Sequence, residues 1–268
     1  MMPIVALLTD YGAVDSYVSE VKAVILRYRR DVQLVDISHE VGRYNVLEAA
    51  FVLRCASKTF PEDTVFLCVV DPGVGSHRKG LVINTSSGKR FVGPDNGLMY
   101  PAAEEEGVEE VYSIDVGRLN VEISQTFHGR DVFAHVVGMM ISGKSLSDVL
   151  QPFREYVRLE LPRPEIGAGR ITCQILHVDR FGNSITNLHQ SQIPADLRFF
   201  DVHLEGRNIG RIPFAPYYSA VNPGEPLFLV GGTGYLELAV NGGSAADRFR
   251  IKAGDRLVLT YQGLPPSL

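Results

Sequence analysis

The sequence predicts an α/β N-terminal domain with a mainly parallel sheet, followed by a smaller all-β C-terminal domain. Three observations predict it. Strand and helix patterns alternate through Val70, as in a parallel sheet with crossover helices. The run Val65 to Val70 is apolar and rich in β-branched residues, with Pro61 before it and Pro72-Gly73 after it, the pattern of a buried strand. Beyond Gly169 the apolar residues recur at every second position between Gly-rich turns, the mark of short antiparallel strands in a barrel or sandwich.

Taken in order, Ile4 to Leu8 is a buried strand ending in Thr9-Asp10-Tyr11-Gly12. Asp15-Ser16 caps a helix to about Arg30, with Val18, Val21, Ile25 and Leu26 on one face. Val32 to Ile37 is a strand, Asn45 to Lys58 a helix rich in Ala, Leu and Glu, and Val65 to Val70 the next strand. Leu81 to Thr85 and Arg90 to Val92 form a hairpin around Ser86-Ser87-Gly88. A short helix over Leu98 to Glu106, a strand over Glu109 to Ile114 and a helix over Arg130 to Ser142 complete the first half. Residues 151–170, with Pro152, Pro162, Pro164, Gly167 and Gly169, read as the connection, which gives domains of 1–160 and 161–268. The second half carries strand patterns at Ile171 to Ile175, Val202 to Leu204, Leu227 to Val230, Leu236 to Val240 and Arg250 to Thr260.

Composition narrows the function classes. The chain has 268 residues, 45% hydrophobic, with a net charge of −5 and no basic block, so nucleic acid is not an expected partner. No run reaches the ~18 apolar residues of a membrane-spanning helix. The start MMPIVALLTDYG has no charged leader, and Cys55, Cys68 and Cys173 lie in apolar contexts without CxxC spacing. A cytoplasmic protein with reduced core cysteines is expected.

Candidate chemistry gathers at strand ends. Asp71 closes a buried strand, two glycines follow, and Arg78 can return to face it. The carboxyl ends of parallel strands share one edge, where open α/β sheets place ligands. Asp10 ends the first strand and His128 opens a helix, so the three can meet. Asp71 with Arg78 reads equally as a structural ion pair, and Asp10 equally as a turn residue. Asp131 and His135 are four apart on a helix, a spacing that holds a metal but more often stabilises the helix. Gly73-Val74-Gly75 and Gly231-Gly232-Thr233-Gly234 complete no phosphate-binding fingerprint. In Asp179-Arg180-Phe181-Gly182-Asn183 a hairpin turn or bulge competes with a functional reading, in which the Asn183 amide reads a heterocycle edge. Phe181, Tyr217 and Tyr218 offer flat faces for stacking.

Seven motifs then point together. They are TDYGxxD at Thr9 to Asp15, VDISHEV at Val35 to Val41, VVDPGVGSxR at Val69 to Arg78, GPDNG at Gly93 to Gly97, TFHGRDVFA at Thr126 to Ala134, DRFGNSITN at Asp179 to Asn187 and GYLELAVNxGSAA at Gly234 to Ala246. In these the chain resembles the S-adenosyl-L-methionine (SAM) hydroxide adenosyltransferases, or SAM hydrolases, relatives of the fluorinating and chlorinating SAM enzymes. The resemblance implies an α/β domain joined to a β-barrel domain, and a homotrimer whose substrate lies between the N-terminal domain of one subunit and the C-terminal domain of the next. It implies hydrolysis of SAM to adenosine and L-methionine, with no metal and no cofactor, SAM being the substrate. Its catalytic triad falls on Asp71, Arg78 and His128. Its ribose-binding carboxylate falls on Asp10, and an aromatic over the ribose on Tyr44. The methionine ammonium contact falls on Asp179 and the adenine-reading amide on Asn183, beside Phe181. The stacking ring falls on Tyr218 or its neighbour Tyr217. Gly232 stands where relatives carry a Ser that contacts the methionine carboxylate, and Gly129 where the fluorinating enzyme has a halide-binding Ser. The rival expectations are a SAM-dependent halogenase, a non-catalytic SAM- or adenosine-binding protein, and a metal-dependent phosphoesterase using Asp10, Asp71 and His128.

Overall fold

The computed structural model describes residues 2–194 and 197–261. The chain divides into two compact units after Glu160.

The first unit is a three-layer sandwich around a seven-stranded sheet. Its strands are β1 (Ile4–Thr9), β2 (Gln33–Ser38), β3 (Val65–Val69), β4 (Gly80–Thr85), β5 (Arg90–Pro94), β6 (Val108–Ile114) and β7 (Leu150–Pro152). The spatial order is β2-β1-β3-β5-β4-β6-β7. The pairings of β1 with β2, β1 with β3 and β3 with β5 are parallel. Those of β4 with β5, β4 with β6 and β6 with β7 are antiparallel. The sheet is therefore mixed, which corrects the expectation of a mainly parallel one. The cause is the hairpin of β4 and β5. Its second strand, not its first, docks beside β3, so every pairing beyond it runs antiparallel.

Alternation along the central strands decides which helix covers which face. Val5, Leu7, Val65, Leu67 and Val69 point into one layer with α1 (Tyr17–Tyr28) and α4 (Ala134–Ile141). Ala6, Leu8, Phe66, Cys68 and Val70 point into the other with α2 (Val46–Ser57) and α3 (Tyr100–Glu105). In α1 the buried residues are Val21, Val24 and Ile25, whereas Leu26 is exposed, so the apolar face is set one residue away from the predicted one. Ser16 is the N-cap residue but makes no cap bond; its hydroxyl donates to Glu20 instead. Asn45 does cap α2, accepting from the Glu48 backbone. The predicted helix over Arg130 to Ser142 begins as one π-helical turn, Gly129–Phe133, ahead of α4. Part of the predicted connection is structured as well: Pro152 ends the edge strand β7, where its missing N–H does no harm.

The second unit is an eight-stranded antiparallel, nearly closed barrel. Its strands are β8 (Glu165–Gly167), β9 (Arg170–Val178), β10 (Ser184–His189), β11 (Phe199–Leu204), β12 (Arg207–Pro213), β13 (Pro226–Val230), β14 (Tyr235–Val240) and β15 (Arg256–Thr260). The order is β12-β11-β15-β9-β10-β14-β13, with β8 paired to β9. A bridge between Phe214 and Phe228 brings the two ends of that path together. Phe200, Phe228, Leu236 and Leu257 fill the interior, and the short helix α5 (Ala245–Phe249) contributes Ala245. The core cysteines Cys68 and Cys173 are buried free thiols, and Cys55 is a half-buried one. No described helix is long and apolar enough to cross a membrane.

Phe66 is fully buried and stacks on Phe91 with ring centroids 4.7 Å apart. Phe66→Ala should cost the first unit about 3–5 kcal/mol, read from its denaturant unfolding midpoint. A loss under about 1 kcal/mol would mean that this layer is not close-packed.

Candidate active site

The parallel pairing of β1 with β3 sets Thr9 beside Val69. Asp10 and Asp71, just past the two strand ends, therefore open on the same sheet edge. They line a cavity of about 710 Å³ in the first unit, together with Tyr11, Tyr44, His128 and Gly129.

Arg78 holds the centre of the site. Its Nε donates to Asp71 Oδ1 at 2.9 Å, and its Nη2 pairs with Asp71 Oδ2. The same Nη2 lies 3.0 Å from His128 Nδ1. A guanidinium only donates, so Nδ1 must accept, which places the imidazole proton on Nε2. His128 is thus held neutral. Burial, reinforced by the Arg78 charge and opposed by Asp71 and Asp131, lowers its pKa below the ordinary 6.5. The Asp71 and Arg78 side chains are only 6% and 12% exposed, so the pair is strongly desolvated. The loop returning Arg78 to Asp71 depends on Gly75, whose φ is +75° and whose Cβ would fall 2.3 Å from the Gln125 carbonyl oxygen.

Asp10 Oδ2 accepts from the Tyr44 backbone N–H at 2.9 Å and holds Tyr44 at a φ of +62°. The Tyr44 ring is left exposed beside the cavity. Behind this turn, Thr9 Oγ1 accepts from Tyr11 N at 3.2 Å and lies 2.8 Å from His39 Nδ1. His39 Nε2 is 3.1 Å from Asp36, without hydrogen-bond alignment, and Asp36 pairs with Lys22. His39 is therefore a support of the Asp10 turn. Tyr11 was missed, although it directly follows Asp10 at the end of β1.

Asp131 and His135 do not form a pair. Asp131 binds Arg130 and Ser124, and His135 Nδ1 lies 2.8 Å from the Tyr28 hydroxyl. No three described His, Cys, Asp or Glu residues are grouped to hold a metal ion.

The second unit brings Asp179, Asn183 and Tyr218 together. Asp179–Asn183 is the tight turn joining β9 to β10, so the structural and functional readings of this stretch coexist. Asp179 Oδ1 accepts from the backbones of Phe181 and Asn183, and Oδ2 accepts from Asn183 Nδ2 at 2.9 Å. Nδ2 also lies 3.4 Å from the Tyr218 hydroxyl, so Asn183 has committed its donor and keeps its carbonyl. Phe181 is 76% exposed; Tyr217 is more exposed than Tyr218. Tyr218 donates to Glu237 at 3.3 Å. Glu237 is a further residue that sequence reading missed. It is buried, and burial followed by the Asp179 charge raises its pKa. A charged residue in the wholly buried strand β14 was the available signal. A Cβ at Gly232 would meet nothing within 4 Å, so packing does not demand glycine there.

A family profile described as the SAM hydroxide adenosyltransferase N-terminal domain matches residues 5–150, and one for the C-terminal domain matches residues 173–258. The chain belongs to the SAM hydroxide adenosyltransferase family. It is 36% identical to the (R)-S-adenosyl-L-methionine hydrolase of Salinispora tropica, over 96% of this chain and 98% of that one. It is 33% identical to the protein of the same name from Methanocaldococcus jannaschii, over 97% of both. Fluorinases match at 26% to 27% identity. The crystal structure of an uncharacterized conserved protein from Thermotoga maritima superposes with a TM-score of 0.87 at 35% identity, covering 96% of this chain and 100% of that one.

Arg78→Met removes both the positive charge and the donor that faces Nδ1, and it leaves Asp71 unopposed. The His128 pKa should rise above its wild-type value in an NMR titration; a fall or no change would contradict the arrangement.

Proposed function

We propose that the chain hydrolyses S-adenosyl-L-methionine to adenosine and L-methionine by attack of water on the ribose C5′. The observation that carries this reading is the joint grip of Arg78 on Asp71 and His128 beside a cavity, in a chain of this family. Asp10 would bind the ribose hydroxyls, with Tyr44 over the ring. Asp179, Phe181, Asn183 and Tyr218 would serve the methionine ammonium and the adenine. Asn183 would offer its carbonyl, the acceptor side of its amide, to the heterocycle. The chain would act in the cytoplasm, as a homotrimer at three times the 29.5 kDa chain mass.

The leaving sulfonium departs as a neutral thioether and needs no acid. The demand falls on the nucleophile, because free water has a pKa of about 15.7. Full deprotonation before attack is not required. As the water oxygen bonds to C5′ and the C–S bond breaks, that oxygen becomes an oxonium, acidic enough for a carboxylate to take its proton. With Nδ1 accepting from Arg78 and the proton on Nε2, His128 is a donor toward the cavity. Asp71 retains lone pairs beyond those facing Arg78. The geometry therefore favours Asp71 as proton acceptor and His128 Nε2–H as the group that orients the oxygen. Arg78 fixes the orientation of the Asp71 carboxylate through its paired contact, so that a free lone pair can face the water. Positioning in line with the C–S bond supplies part of the ~7–11 kcal/mol available from this source.

Asp71→Asn and His128→Ala should each lower kcat by about 10²-fold or more with little change in SAM affinity. Wild-type turnover in both variants would remove the catalytic assignment. The kcat–pH profile should fall only on the acid side of 6.5, because protonating Nδ1 sets a donor against Arg78 and the lowered His128 pKa delays that event. An acid limb centred above 6.5 would contradict this. A halogenase would instead release a 5′-halo-adenosine in proportion to added halide.

A further inference from the structure

One polar group in the cavity has no place in the roles above. The Tyr11 hydroxyl has no hydrogen-bond partner among the described residues, although Tyr11 lines the cavity beside Asp71 and His128. Its position is fixed by Gly129. A Cβ built on Gly129 would fall 2.2 Å from Tyr11 Oη and 3.2 Å from the ring carbon that bears it. The phenol oxygen thus sits where a side chain at 129 would begin, one residue from His128. The ring cannot drift from this spot. It meets Tyr17 and Phe127 edge-on, with centroids 5.9 and 5.7 Å away, and its backbone N–H is tied to Thr9. Its hydroxyl also lies within the field of the triad: burial, then Asp10 and Asp71, raise its pKa, while Arg78 opposes them, so it is a protonated phenol at neutral pH. A hydroxyl held at the lining of a cavity, with no protein partner among the described residues, keeps its hydrogen-bonding capacity for a molecule inside the cavity.

We propose that Tyr11 is a further catalytic residue for the attacking water, its oxygen, seated over Gly129, accepting one O–H of that water. The other O–H is then the proton delivered to Asp71, and a lone pair remains for C5′. Orientation is what a small, symmetric nucleophile lacks, and an acceptor fixed by packing provides it without reorganisation. The same arrangement accounts for glycine at 129, since any side chain there displaces the phenol.

This inference rests on the SAM hydrolase reading. The test compares wild type, Tyr11→Phe, Gly129→Ser and the double variant in steady-state adenosine release, with SAM affinity measured by calorimetry. Tyr11→Phe should lose about tenfold in kcat, the effect of one hydrogen bond of typical strength, with SAM affinity unchanged. Gly129→Ser alone should also be impaired, because its Cβ meets Oη. In the double variant the phenol oxygen is gone, the serine fits after a small shift of the ring, and its hydroxyl returns an oxygen to the same place. The double variant should therefore exceed Tyr11→Phe in kcat. A compensation of this kind is not expected of a purely structural tyrosine. Wild-type kcat in Tyr11→Phe, or a loss confined to KM, would overturn the inference while leaving the hydrolase reading intact. Wild type releasing no adenosine would overturn both.

Discussion

One guanidinium with two acceptors governs the site. Because Arg78 can only donate, its contact with His128 fixes the tautomer of the imidazole, and its bonds to Asp71 fix the rotation of the carboxylate. Neither partner could be desolvated so far alone; burying an unpaired carboxylate costs several kcal/mol. The surrounding backbone serves this arrangement. Gly75 lets the loop turn back, and the π-helical turn at Gly129–Phe133 sets the residue directly after His128 against Tyr11. Single π turns are often found at functional sites, since they offset one side chain from the regular helical path.

The scaffold provides rigidity where the chemistry needs it. β1 and β3 are buried on both faces, so the ends that carry Asp10 and Asp71 cannot move independently. The Asp10 turn has its own support in Thr9, His39, Asp36 and Lys22, a polar chain running away from the cavity. In the second unit, Asp179 accepts three bonds from its own turn, one of which orients Asn183 by satisfying its donor. In both units a carboxylate is ordered by backbone N–H groups.

Much of this was legible in the residues. The strand-end positions of Asp10 and Asp71 and the return of Arg78 followed from apolar runs and glycine placement, and the seven motifs carried the assignment of His128. Sheet direction was less legible. The hairpin of β4 and β5 was visible, but which of its strands would dock on β3 is a long-range choice that local pattern does not encode. The buried face of α1 shifted by one residue because Val24 and Leu26 are equally apolar and only packing distinguishes them. Tyr11, His39 and Glu237 were missed for a shared reason. Their significance lies in contacts with residues distant in sequence, such as Gly129 for Tyr11, and a lone tyrosine or histidine is more often a core residue than a functional one.

The central claim is that water attacks C5′ of SAM under the control of the Arg78-centred group. Its most direct test is a single turnover of chelator-treated protein with SAM in ¹⁸O-labelled water, with and without chloride, followed by mass analysis of the products. The account predicts adenosine carrying ¹⁸O at its 5′-oxygen, methionine without the label, and no dependence on chloride. A 5′-chloro product, unlabelled adenosine, or SAM bound and unchanged would contradict it.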